Sequence, residues 1–183
     1  KTRFGNLGNI LDFDNLTEEN IYVLDSPILT NSQFKKFKKF FSKKTKVIDC
    51  TFDISSSLKE RIEEIRVEAE TSIRQGSTCL ILSDKNISNQ KASIPSILTV
   101  GAVHSHLVKH GLRGYCSLNV ECSDALDTHS FAVLIGVGAT TVNPYLAIDS
   151  IYQRFEKKLF GKSDFESCVV KFKKSIDAGL LKI

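Results

Sequence analysis

Short apolar runs, many of them β-branched, alternate along this chain with longer stretches whose apolar positions recur every three or four residues. The runs Ile21–Leu24, Lys46–Asp49, Thr78–Leu82, Tyr115–Glu121 and Phe131–Ile135 predict strands, because each is brief and closes on polar or small residues. The periodic stretches predict helices. Leu58, Ile62, Ile65, Ala69 and Ile73 line one face of a helix that opens at Ser57, with Glu60 spaced for a capping box, and stops at Gly76. A second capping box, Ser163 to Glu166, opens a helix with the stripe Phe165, Cys168, Val169, Phe172 and Ile176, closed by Gly179. Asn31 or Ser32 can cap a helix carrying Phe34, Phe37, Phe40 and Phe41. Pro95 suits the first turn of another, running to about Lys109 and closed by Gly111.

Strands and helices in alternation argue for an α/β fold: a mostly parallel sheet with right-handed crossover helices, open or partial (β/α) barrel-like. Residues 1–20 have no sustained period and read as a linker or loop, leaving residues 21–183 as a single α/β domain.

Composition excludes several classes of function. At 42% hydrophobic and 25% charged, the chain is not a disordered segment. No apolar run reaches the roughly 18 residues of a membrane span, and the opening residues lack a secretion signal, so a cytoplasmic location without membrane association is expected. The net charge of +4 is concentrated in Lys35, Lys36, Lys38, Lys39, Lys43, Lys44 and Lys46. These lysines lie mainly on the solvent side of the Phe-rich helix, and no nucleic-acid motif accompanies them, so no nucleic-acid partner is expected. The five cysteines form no C-x-x-C pair and read as buried thiols. The chain contains no Met and ends in an apolar run, which predicts a piece of a longer polypeptide. Leu180, Leu181 and Ile183 would then belong to an interdomain face.

Three places could carry chemistry. Ser83, Asp84, Lys85 and Asn86 follow a predicted strand at its carboxyl end, where α/β proteins place their sites, although the same residues are ordinary turn formers. Gly136 and Gly138 follow the Phe131–Ile135 strand and precede a helix, a placement that could cradle a phosphate, but the third glycine of a dinucleotide fingerprint is replaced by Thr141. His104, His106 and His110 share one helix, with the last two spaced i, i+4. Position 107 is Leu where a zincin-type motif needs the Glu after its first His, no third ligand is indicated, and no metal site is assigned. No nucleophile–base motif is present, so no catalytic residue is assigned.

Six stretches in order carry a resemblance: Val23–Leu29 (VLDSPIL), Asp49–Asp53 (DCTFD), Leu80–Ser88 (LILSDKNIS), Ile94–Leu107 (IPSILTVGAVHSHL), Phe131–Ala147 (FAVLIGVGATTVNPYLA) and Asp177–Ile183 (DAGLLKI). Together they resemble the central domain of bacterial glutamate synthase large subunits, departing from it at His129–Ser130, where that family often has a His pair. The resemblance implies an enzyme that takes the amide nitrogen of glutamine and, with 2-oxoglutarate, makes two glutamates. It implies an amidotransferase domain with a cysteine nucleophile and an FMN-binding domain with a 3Fe-4S cluster, both elsewhere in the same chain, and a small electron-donating subunit as a further partner. In that family the central domain joins the two and holds no cofactor. Ser83, Asp84, Lys85, Asn86, Gly136 and Gly138 are then expected to face neighbouring domains or an ammonia route. The alternative is a free-standing domain binding a phosphorylated ligand at its strand-end loops.

Overall fold

A computed structural model of the chain describes residues 2–4 and 22–183. The expected linker therefore lies largely outside the described residues, but Thr2–Phe4 is a strand (β1) rather than a loop, and pairs antiparallel with β2 (Tyr22–Leu24). Helix α1 (Asn31–Phe40) follows, capped by neither expected residue. Thr30 accepts from the Gln33 amide while the Gln33 side chain returns to the Thr30 N–H, a reciprocal capping box. Asn31 is drawn away by Asn143 and Asp149.

The chain then builds β3 (Thr45–Asp49), β4 (Thr51–Asp53), α2 (Leu58–Arg74), β5 (Cys79–Ser83), β6 (Lys91–Ser93), α3 (Ser96–Lys109) and β7 (Ser117–Glu121). After these come α4 (Thr128–Gly136), β8 (Thr141–Asn143), α5 (Tyr145–Glu156) and α6 (Phe165–Leu180). Strands β3, β5, β7 and β8 form a parallel sheet in that order. Each new strand is added on the same side of the last, the order of a partial (β/α) barrel, and no reversal creates the crevice of a doubly wound sheet. Pro27–Leu29 adds to the far edge through backbone bonds on either side of Val142. Strands β4 and β6 form a small antiparallel pair.

Side-chain alternation divides the sheet into two unlike faces. Ile48, Leu80, Leu82, Leu118, Val120 and Val142 share one core with Ile65, Ala69 and Ile73 of α2, Val100, Val103 and Leu107 of α3, Phe131 and Leu134 of α4, and Ile176 of α6. The expected stripe on α2 packs there, and from the α6 stripe Ile176 and Phe172 do. On the opposite face, Cys79 and Ile81 pack with Phe34 and Phe37 of α1 and with Phe4 and Leu24 of the β1–β2 ribbon. Towards β7 and β8 that second face turns polar, with Asn119, Glu121, Thr141 and Asn143 all buried.

The structure corrects one strand. Phe131–Ile135 is the interior of helix α4, and the fourth strand of the sheet is Thr141–Asn143. Asp127 caps the helix, accepting from Ser130 N at 2.8 Å and Ser130 Oγ at 2.6 Å. Phe131 and Leu134, three apart, are buried while Val133 and Ile135 are only partly so, a helical rather than an alternating pattern. At the other end of the chain, Asp164 rather than Ser163 caps α6, and Gly179 lies inside the helix instead of ending it. A Cβ at Gly179 would lie 2.6 Å from the Thr128 side chain, so this glycine permits the close approach of α6 to the start of α4.

Candidate functional site

The carboxyl ends of β3, β5 and β7 bring together a buried polar cluster that contains the sequence-predicted loop. Ser83 ends β5, and its Oγ donates to Glu121 Oε2 at 2.8 Å. Glu121 is 4% exposed, and a buried carboxylate of this kind requires a cation. Lys85 Nζ supplies it at 2.9 Å from Oε1, and Lys38 of α1 approaches Oε2 at 3.8 Å. Lys85 Nζ also lies 5.0 Å from the centre of the Tyr145 ring.

Asp84 points inward instead of to solvent and is 2% exposed. Its Oδ2 accepts from Ser123 N at 2.9 Å, Ser123 Oγ at 2.6 Å and Ser93 Oγ at 3.1 Å, tying β5 to the segments after β6 and β7. Burial, and then the Asp84 carboxylate, push the Tyr145 phenol well above its ordinary value, so it stays protonated. Asn86 is exposed and donates to Asp49 Oδ2 at 3.0 Å, linking the loop to the end of β3. Burial acts to raise the Asp49 carboxyl, but hydrogen bonds from Asn86 and Thr51 outweigh it and hold the group below its ordinary range.

Chemically, this end of the sheet holds two buried carboxylates in unlike settings. Glu121 is neutralised by lysines, whereas Asp84 is held by the hydrogen bonds to Oδ2, its Oδ1 being buried without a hydrogen-bond partner. The thiols are unreactive. Burial pushes Cys50 up to about 12 and raises Cys79, Cys116 and Cys122, so none is a ready thiolate. The serine hydroxyls here donate to carboxylates, and among the described residues no histidine is bonded to a serine or a cysteine.

Gly136 and Gly138 are not brought to this site. They follow a helix and precede a strand, the reverse of the order a phosphate cradle requires, and they stand at the amino end of the sheet. The N–H groups of Val137, Gly138 and Ala139 are all bonded to α4 carbonyls, which leaves none of them to hold an anion. Gly138 has φ +120 and lies against the His104 ring. Arg113 locks that corner: its Nε donates to His104 Nδ1 at 3.1 Å, Nη1 to the Cys116 carbonyl at 2.6 Å and Nη2 to the Gly138 carbonyl at 2.9 Å. His104 is thus part of a structural clasp and is separated in role from the other two histidines on its helix.

His106 and His110 do meet a third group. Glu70 of α2 places its Oε2 2.7 Å from His106 Nε2, and the His106 and His110 ring centres are 4.2 Å apart. Sequence spacing shows the histidine pair; it cannot show Glu70, thirty-six residues earlier on a neighbouring helix.

The chain as a whole, residues 1–183, matches the model of the glutamate synthase central domain. The chain belongs to that family. It is 46% identical over 186 residues to the large chain of the NADPH glutamate synthase of Azospirillum brasilense, covering 100% of this chain and 12% of that one. The Bacillus subtilis large chain is 38% identical over 164 residues, covering 87% of this chain and 10% of its own length. The ferredoxin-dependent glutamate synthase of Spinacia oleracea is 33% identical over 198 residues, covering 100% of this chain and 12% of its own. This glutamate synthase central domain thus spans about a tenth of the length of the curated relatives it matches. Among its described residues, no helix is long and apolar enough to cross a membrane.

Proposed function

We propose that this central domain is a structural and coupling module of a glutamate synthase large chain. It joins a glutamine amidotransferase domain to an FMN-binding synthase domain and forms part of the wall that carries ammonia between them. The parent enzyme would convert glutamine and 2-oxoglutarate to two glutamates, with FMN and a 3Fe-4S cluster held by other domains and electrons delivered by a small partner subunit or a soluble carrier.

The observation that supports this reading is a family match over the whole of this chain together with a strand end whose polar groups are bonded to one another across separate elements. A passive wall needs fixed polar groups, since a free acid would protonate the ammonia it guides. The exposed loop from Lys85 to Gln90 is the part of this strand end able to touch a neighbouring domain.

The test uses the full-length large chain carrying Asn86→Ala or Ile87→Ala, both at exposed positions. Glutamine hydrolysis and glutamate formation are measured together. The expected result is glutaminase turnover in excess of synthase turnover, with unchanged circular dichroism. A ratio identical to that of the unmodified enzyme in both variants overturns the coupling role of this loop.

A further inference from the structure

The amino-terminal half of α3 is apolar and packed, but its last turns present a different surface. His106 and His110 stand one turn apart on the side facing α2, where Glu70 meets them. A donor atom from each of the three residues can be chosen so that all lie within 4.8 Å of one another. We propose that Glu70, His106 and His110 form a binding site for a divalent transition-metal ion, zinc being the best match to two imidazoles and one carboxylate.

Three features argue for more than chance proximity. The first is orientation of His110. Its Nδ1 lies 2.8 Å from the His106 carbonyl one turn back, and since a carbonyl can only accept, Nδ1 carries the proton. The Nε2 lone pair is therefore the free one, the tautomer a metal requires. The second is orientation of Glu70. Arg74 binds its Oε1, with Nε at 2.9 Å and Nη2 at 2.8 Å, leaving Oε2 directed at His106. The third is rigidity, because both helices are anchored beneath the cluster by buried Ala69, Ile73, Val103 and Leu107 of one core.

The geometry also states what binding must change. In the metal-free arrangement His106 Nε2 and Glu70 Oε2 are hydrogen-bonded at 2.7 Å. Ligands of a tetrahedral zinc at about 2.0–2.1 Å stand roughly 3.3 Å apart, so the ion takes the place of the bridging hydrogen and the two side chains separate by about half an ångström, the neutral imidazole moving its proton from Nε2 to Nδ1. Glu70 and His106 are partly buried and His110 is exposed, which leaves the fourth position to a water or to a group from a neighbouring surface.

The test is made on the full-length large chain, with zinc as the probe and a chromogenic zinc indicator as competitor. The unmodified chain is expected to bind one equivalent per chain more than the His106→Ala/His110→Ala variant. Glu70→Gln is expected to retain that equivalent with affinity lowered about 10-fold or more. His129→Ala, at an exposed histidine on α4, should leave it unchanged. His110→Ala alone removes an exposed side chain bonded only within its own helix, so its loss of zinc affinity cannot be ascribed to unfolding. Equal stoichiometry and affinity in the unmodified chain and in His110→Ala would overturn the site, as would a zinc-induced rise in melting temperature that persists in the double variant.

Discussion

Adding a single methyl group at Gly138 tests how the amino end of the sheet is held together. Gly138 has φ +120, where an L side chain is strained, and a Cβ there would lie 2.3 Å from His104 Nδ1 and 2.5 Å from Cγ. The backbone term alone costs about 1–2 kcal/mol. The His104 ring cannot swing aside freely, because its Nδ1 accepts from Arg113 Nε at 3.1 Å and the same guanidinium holds the Gly138 carbonyl. Displacing the ring gives up a charged hydrogen bond, about 1.5 kcal/mol, and crowding of a packed site adds about 1 kcal/mol. Gly138→Ala should therefore destabilise by roughly 3–5 kcal/mol, which for a chain of this size lowers the melting temperature by about 10 °C. The assay is urea denaturation followed by circular dichroism, with two companions. Gly136→Ala, in the last turn of α4 with nothing within 4 Å of its added Cβ, should be neutral or stabilising by up to about 1 kcal/mol. His104→Ala combined with Gly138→Ala should recover the crowding part but not the backbone part. A Gly138→Ala midpoint within 1 kcal/mol of the unmodified chain, by the uncertainty usual for such curves, would refute the reasoning, and so would a double variant no better than the sum of the singles.

Two further outcomes follow from the strand-end cluster. Asp84→Ala leaves the partly buried Ser123 N–H and hydroxyl without their acceptor and should cost about 2–4 kcal/mol, read from the same urea curves, whereas Asp84→Asn should lose less; equal losses in the two would mean that the hydrogen bonds are not what matters. Asp49 is lowered from 3.8 in the folded state, so its contribution is present above that value and is lost as pH falls through the folded one. Asp49→Asn should therefore destabilise near neutral pH and converge with the unmodified chain in the acid range, and a stability gap independent of pH would contradict the assignment.

Much of this domain is written locally. The stripe Ile65, Ala69 and Ile73, the stripe Cys168, Val169 and Ile176, the stops at Gly76 and Gly111, and the apolar runs of β3, β5 and β7 are all legible because each depends on residues within a turn or a strand of one another. The family was legible too, through ordered stretches covering most of the chain. The run Phe131–Ile135 was not, since five apolar residues carry too few periods to separate a buried strand from a buried helix, and the Asp127–Ser130 cap decides it. That one change places Gly136 and Gly138 at the opposite end of the sheet from Ser83–Asn86.

What the sequence determined by itself is therefore the set of elements whose burial pattern repeats over several turns, and the α/β class that their alternation requires. What only the tertiary structure decided is which polar groups meet. Asp84 turned inward to Ser93 and Ser123, Glu121 neutralised by Lys38 and Lys85, and Glu70 set against His106 are all contacts between separate elements. The reason is physical: periodicity records the direction of the core, which every residue of an element shares. A hydrogen bond or a ligand set is fixed by the register of one element against another, and that register is set by packing across the whole core.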